Sequence, residues 1–308
     1  MRRRNFISLS AAASAGLILP GCGKRNDAVS SSATLVDTPE KRRKYLESML
    51  DEICGLGPRP IGSPAMRKSA EIVERELKRS LPQVELDNFE LVRWILHEQP
   101  ELTIGGTTLE AFPAHGSAGT PGEGLRGVLK RSGENVKSAP YTLTGSRGNA
   151  LAYISVSPYG RAVPRPWYNF GLEFGCLPVF NLGRQDSLLA EEAVEKGLPV
   201  VLKDSVEFKS GSNCCNVAGH IPGRSGQEIL FIAHLDTVYN TPGANDNTAS
   251  VIAMVMLAHA LAGQTLERGV TFLATSGEEY NKAGAEHYAA RRRGEGTYDK
   301  IRFLVNVD

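Results

Sequence analysis

The sequence predicts an α/β protein: a mixed, mostly parallel sheet flanked by helices, carrying an inserted domain that is mostly β. Three observations lead there. From Ala218 onward, strand-length apolar runs alternate with helical periods: EILFIAH, then 247–262, GVTFLATS, then 283–293, then KIRFLVNVD. Such alternation implies parallel-type pairing through right-handed crossovers, and runs this apolar imply cover on both faces. Between Pro100 and Gly197 the texture changes, with Gly, Pro and Ser dense and apolar runs cut to strand length. Upstream, Thr38–Leu81 carries helical periodicity in two pieces.

Taken in chain order, residues 1–22 read as an export signal. Arg2-Arg3-Arg4-Asn5-Phe6-Ile7 is a basic start, followed by an apolar stretch to Leu19 that is too short to span a membrane comfortably. Arg3-Arg4 with Phe6 resembles a twin-arginine signal, and Leu19-Pro20-Gly21-Cys22 resembles a lipoprotein box that would lipidate Cys22. Such a protein would be periplasmic or at the cell surface, touching the membrane only through that anchor. Residues 23–36 then form a flexible tether.

Segment 37–99 begins the main domain. KRRKYLESMLDEI puts Tyr45, Leu46, Met49, Leu50 and Ile53 on one helical face, and SAEIVERELKRSL does so with Ile72, Val73, Leu77 and Leu81. GLGPRPIGSP between them is a turn-rich break, and VELDNFELVRW alternates as a strand. Segment 100–205 is the insert, with strands at GNALAYISV, CLPVFNL and LPVVLKD and a helix at DSLLAEEAVEKG. Segment 206–308 completes the main domain.

At 308 residues there is room for two modest domains. Lys+Arg 35 against Asp+Glu 34 leaves a net charge of +1, so no global field favours nucleic acid. The basic runs Lys41–Lys44 and Arg291–Arg293 read as solvated helix faces. Export would permit disulfides among Cys54, Cys176, Cys214 and Cys215. Their spacing fits no zinc finger, and buried free thiols and a single disulfide both remain open.

Four short segments carry the chemistry: HLD at 234–236, GANDN at 243–247, GEE at 277–279 and NVD at 306–308. Three follow apolar strands, and open α/β sheets bind ligands at the carboxyl ends of strands. Each residue has a plain structural alternative. His234 alone is a hydrogen-bonded strand-end residue, although Asp236 two positions on could hold its second ring nitrogen. Asp246 alone is a helix cap. In company it is a carboxylate able to bridge two cations, which in two-metal hydrolases sit roughly 3.5–4 Å apart. Glu278 and Glu279 point in different directions, so one can bind metal while the other moves a proton. Asp308 alone is a strand-end turn residue. The signal is the combination within one βαβαβ stretch.

HLD…GANDN…GEE…NVD, in that order and spacing, resembles the co-catalytic di-zinc exopeptidases, metallopeptidase family twenty-eight. That family includes bacterial leucyl aminopeptidases and relatives of glutamate carboxypeptidase and the transferrin receptor. The resemblance spans roughly 215–308 and extends loosely to GLGPRPIGSP. It implies a peptide-hydrolysing zinc enzyme holding two zinc ions. His234 and Asp308 would bind the first zinc, Asp246 would bridge, and Glu279 would bind the second. Glu278 would be the general base and Asp236 would orient His234. The 100–205 insert is similar to a protease-associated domain. The family's remaining ligand is a His beyond the NVD strand. None of His97, His115, His220, His259 and His287 matches it, so the resemblance implies a truncated peptidase.

Two further readings stay open: a non-catalytic binding protein on the same scaffold, as in transferrin-receptor-like members, and a single-zinc acyl transferase of the glutaminyl cyclase kind. A serine nucleophile at HGSAG is disfavoured, because a nucleophile elbow needs Gly where His115 stands, two positions before Ser117.

Overall fold

The computed structural model describes residues 35–134, 136, 138–165 and 177–308. The export signal with Cys22, the tether as far as residue 34, and Cys176 lie outside the described residues. Two capped helices open the fold. Thr38 Oγ1 accepts from Lys41 N at 3.2 Å and starts α1 (Pro39–Cys54), which buries Met49 and Ile53. Ser63 Oγ accepts from Met66 N at 3.0 Å and starts α2 (Pro64–Lys78), which buries Ile72, Val73 and Leu77. In both, proline occupies the first turn, where its missing N–H costs nothing.

β1 (Gln83–Leu96) runs antiparallel to the long β10 (Val206–Ile221), from Gln83↔His220 to Leu96↔Val206, with a register shift between Leu91 and Arg93. β10 pairs antiparallel with β12 (Gly269–Thr275). β12 pairs parallel with β11 (Glu228–His234), and β11 pairs parallel with β13 (Ile301–Asn306). The sheet order is β1-β10-β12-β11-β13. The sheet is therefore mixed, and β10 is a strand the sequence pattern did not announce.

Strand alternation sorts side chains onto two faces. Val217, Ala233, Phe272 and Ala274 pack against α1, α2 and the apolar α4 (Ala249–Leu261), through Ile53, Ile72, Val73 and Val255 among others. Ala218, Leu230 and Leu273 pack on the opposite side with Tyr288 of α5 (Ala283–Gly294). The chain leaves β11 through α4 to β12 on one flank, then crosses through α5 to β13 on the other. Such a reversal opens a crevice at the carboxyl ends of the strands.

The described residues between 101 and 203 form a second sheet with its own core. It comprises β2 (Glu101–Ile104), β3 (Thr107–Leu109), β4 (Ala111–Pro113), β5 (Leu125–Arg131), β6 (Tyr141–Thr144), β7 (Ala150–Val156), β8 (Val179–Leu182) and β9 (Pro199–Lys203), in the order β3-β2-β9-β5-β6-β7-β8-β4. α3 (Ser187–Lys196) covers it, burying Ala190 and Ala193 against Leu102, Leu129, Ile154 and Leu202.

Two expectations need correction. Arg292 is buried rather than a solvated helix residue. Its guanidinium pairs with Glu228 at the start of β11 and donates to Tyr288 Oη at 2.7 Å. A charge that helical periodicity assigns to water is instead drawn inward by a carboxylate 64 positions away. β13 is not covered on both faces: Phe303 and Leu304 are 57% and 59% exposed on this edge strand, and α5 packs towards β1 and β10 instead. Cys54, Cys214 and Cys215 are free thiols. Among the described residues, no helix is long and apolar enough to cross a membrane.

Candidate metal centre

His234 is the last residue of β11 and almost fully buried. Its Nδ1 lies 3.0 Å from the main-chain oxygen of Asp236, a pure acceptor, so Nδ1 carries a proton and Nε2 is the atom turned into the crevice. Nε2 faces Asp246 Oδ1 at 3.1 Å and Asp308 Oδ1 at 3.3 Å. One donor atom from each of these three residues falls within 4.8 Å of the others. Asp308 arrives from the other flank because β13 holds register with β11 to its end, where Val307 N donates to Ile232 O at 2.9 Å.

Asp246 does not cap a helix. It sits in a tight turn over 244–248 with φ −118° and ψ 95°, its bond to Asn247 is cis, and Thr248 is the residue preceding α4. The turn begins at Gly243 with φ +60°; a Cβ there would collide with Thr237 Cγ2 and the Asp246 carbonyl. Asn247 Nδ2 donates to Val307 O at 2.8 Å, which ties the Asp246 turn to the residue before Asp308.

Asp236 contacts both His234 and the glutamate turn. It is fully buried, but its carboxylate Oδ1 stands 3.6 Å from His234 Nδ1, and the main-chain oxygen makes the closer contact. The carboxylate instead accepts from the N–H groups of Glu278 at 3.0 Å and Glu279 at 3.1 Å. Asp236 thus holds His234 with its backbone and the glutamate turn after β12 with its side chain.

Glu279 is 9% exposed and lies outside the close three-donor group. Burial, reinforced by the charges of Asp236 and Asp246, raises its pKa to about 7. Burial also raises the pKa of the half-buried Glu278. For His234, burial works against the charged form, but Asp236, Glu278 and Asp246 outweigh it and raise the pKa to about 10. So much negative charge around one imidazole is an environment suited to cations.

Sequence reasoning missed Arg59, at the centre of GLGPRPIGSP. Its side chain is fully buried and donates to Leu235 O at 3.1 Å, Pro242 O at 2.7 Å and Thr248 Oγ1 at 2.7 Å. Its backbone exchanges bonds with Thr237. One guanidinium thus clamps both ends of the loop between His234 and Asp246. An arginine inside a Pro/Gly turn was the available signal.

The other histidines are engaged elsewhere. His97 pairs with Glu207 and His287 with Asp87. His220 bonds Thr271, and His259 sits between Ser80 and Tyr45. His115 is buried between Trp94 and Tyr280, with neither ring nitrogen hydrogen-bonded. Ser117 is fully buried and its hydroxyl faces Ala118 O, so it offers no exposed nucleophile.

Residues 216–308 match the sequence profile of Peptidase family M28. The chain is 24% identical over 272 residues to Aminopeptidase YwaD of Bacillus subtilis, covering 80% of this chain and 57% of that protein. It is 24% identical over 260 residues to the probable lipoprotein aminopeptidase LpqL of Mycobacterium tuberculosis, covering 75% and 51%. The chain thus spans about half the length of these two relatives. In structure it is similar to a zinc aminopeptidase from Bacillus subtilis, with TM-score 0.64, 21% identity and coverage of 86% and 68%. It is also similar to a Peptidase M28 precursor from Shewanella amazonensis, with TM-score 0.68, 17% identity and coverage of 92% and 73%. These two likenesses support the fold.

Proposed function

We propose, from the premise that residues 216–308 belong to peptidase family M28, that this protein is a zinc-dependent exopeptidase of the aminopeptidase type. The observation that carries the reading is the meeting of His234, Asp246 and Asp308 at the carboxyl ends of β11 and β13. The donor set fits zinc. Ligand atoms about 2.0–2.1 Å from a tetrahedral zinc lie roughly 3.3 Å from one another. His234 Nε2 stands 3.1 and 3.3 Å from its two carboxylate oxygens. His234 and Asp308 would hold one zinc, Asp246 would bridge, and Glu279 would hold a second.

Bound zinc supplies Lewis acidity toward the scissile carbonyl and lowers the pKa of water toward 7. Glu278 takes the proton of the attacking water and returns it to the departing amine. A base with a pKa raised by burial is suited to both halves of that transfer. Asp236, bound to the N–H groups of both glutamates, fixes where their side chains start. Nδ1–H of His234, held by a carbonyl, keeps Nε2 available to metal.

Peptides are the substrate class. The insert at 100–205, between peptidase segments 37–99 and 206–308, is assigned as a protease-associated-like domain. Export and a lipid anchor at Cys22 are part of the same proposal, in keeping with the lipoprotein relative.

The test pairs metal content with turnover. Zinc-loaded protein should cleave aminoacyl amides, and Glu278→Gln should keep its zinc while losing about 10²–10⁴ in kcat/KM, the usual worth of a general base. Undiminished hydrolysis by Glu278→Gln refutes the assignment. Zinc-loaded wild-type protein without turnover would favour a non-catalytic binding role.

A further inference from the structure

A cavity of about 470 Å³ is lined in part by Tyr239 and Asn240 of the loop between Asp236 and Asp246, and its volume is within the size range of small-ligand sites. Its walls come from both sheets: Trp94 of β1, Phe112 of β4, and Tyr239 from the loop that runs from Asp236 to Asp246. Pro58 and Pro60 flank the Arg59 clamp and close another side, so the cavity is built on the loops that position the metal ligands. Tyr239 Oη donates to Pro113 O at 2.7 Å, and Trp94 Nε1 donates to Ser117 O at 2.8 Å. The two aromatic residues are thereby fixed.

Arg93 lines the same cavity. Among the described residues its side chain makes no hydrogen bond and no ion pair within 4 Å, and its Nε is buried without a partner. The register shift between Leu91 and Arg93 interrupts the ladder just before it. Its stem lies along Gly62, where a Cβ would come within 3.2 Å of Arg93 Cδ. Of the other ionisable groups nearby, Glu207 attracts Arg93 through space without an ion pair within 4 Å, its carboxylate being paired with His97 at 2.9 Å, and Glu98 is exposed and forms no ion pair with Arg93. A partly buried guanidinium without a hydrogen-bond acceptor, on an aromatic wall, has the chemistry to receive a carboxylate.

We propose that this cavity binds a peptide carboxylate, with Arg93 as the anchor and Trp94, Phe112 and Tyr239 holding the adjoining apolar portion. The carboxylate comes either from the chain terminus or from an acidic side chain. The choice of peptide as carrier rests on the exopeptidase reading, so the test reads binding without turnover and zinc content is measured separately.

Calorimetric titration of the whole protein with acetyl-Leu-Leu, acetyl-Leu-Leu-amide and acetyl-Leu-Glu-amide distinguishes the sources. At least one acid should bind about tenfold or more tightly than the uncharged amide, the scale of one charge-assisted bond. Terminal recognition favours the first peptide and side-chain recognition the third. Arg93→Gln should erase the preference with the unfolding midpoint unchanged. Equal affinity for acids and amide in wild-type protein overturns the proposal without recourse to a variant, as does absence of binding at millimolar peptide. A preference that survives in Arg93→Gln also overturns it. Failure here with zinc bound leaves the exopeptidase reading standing, and carboxylate binding without zinc separates the two in the other direction.

Discussion

Arg59→Met replaces a buried cation by an apolar chain of similar length and leaves its acceptors behind. Three bonds to that cation are within 3.1 Å, to Leu235 O, Pro242 O and Thr248 Oγ1, and two longer ones reach Ile53 O and Gly57 O at 3.4 Å. A hydrogen bond to a charged group contributes about 1.5–3 kcal/mol, and a stranded buried acceptor costs about 1–3 kcal/mol. These contributions share one side chain and do not add. Against them stands the desolvation of the guanidinium, whose pKa burial lowers. The expected net loss is about 3–5 kcal/mol, the range seen when one partner of a buried charged network is removed. Because the acceptors lie at both ends of the His234–Asp246 loop, zinc affinity should fall about 10–100-fold as well, the usual cost of losing a group that supports metal ligands. Urea unfolding and zinc competition with a chromogenic chelator measure the two effects. A stability change below about 1 kcal/mol with unaltered zinc affinity would refute the view that Arg59 holds the site together.

Two further outcomes follow from charge. With its pKa at about 10 without metal, His234 must give up a proton before Nε2 can bind zinc. Zinc uptake near pH 8 should release about one proton from this residue, with apparent affinity climbing roughly tenfold per pH unit, and calorimetry in buffers of different ionisation enthalpy would expose its absence. Burial lowers the pKa of His115 and His259 from 6.5 to about 4. Protonation then favours the unfolded chain, so their contribution is intact above pH 6.5 and drains away as pH falls toward 4. At 1.36 kcal/mol per unit, each accounts for about 3 kcal/mol at full loss. A flat unfolding free energy across that window would contradict the burial of both rings.

The sheet that frames the site was readable because its strands are apolar and its helices periodic. EILFIAH, GVTFLATS and KIRFLVNVD became β11, β12 and β13 with small shifts at their ends. β10 was not readable. Polar residues and Gly211 interrupt its first half, and its extended form rests on pairing with β1, more than a hundred positions earlier. The same limit explains Arg59 and Arg292, since periodicity reports apolar burial and says nothing of cations drawn inward by distant acceptors. At the site, the ligand-bearing segments were visible as motifs. The division of labour within Asp236, carbonyl to His234 and carboxylate to the glutamate turn, depends on side-chain direction and had no sequence signature.

The metal centre inherits its dimensions from the ladder beneath it. His234 stands opposite Thr275, just before the glutamate turn, while Ile232 stands opposite Asn306 and receives Val307 N. Sliding β13 by one residue against β11 would carry Asp308 about 3.3 Å along the strand and swing its carboxylate to the reverse side. Strand alignment is therefore the gauge that sets ligand spacing, and a mis-threaded chain would build a sound sheet with no place for an ion.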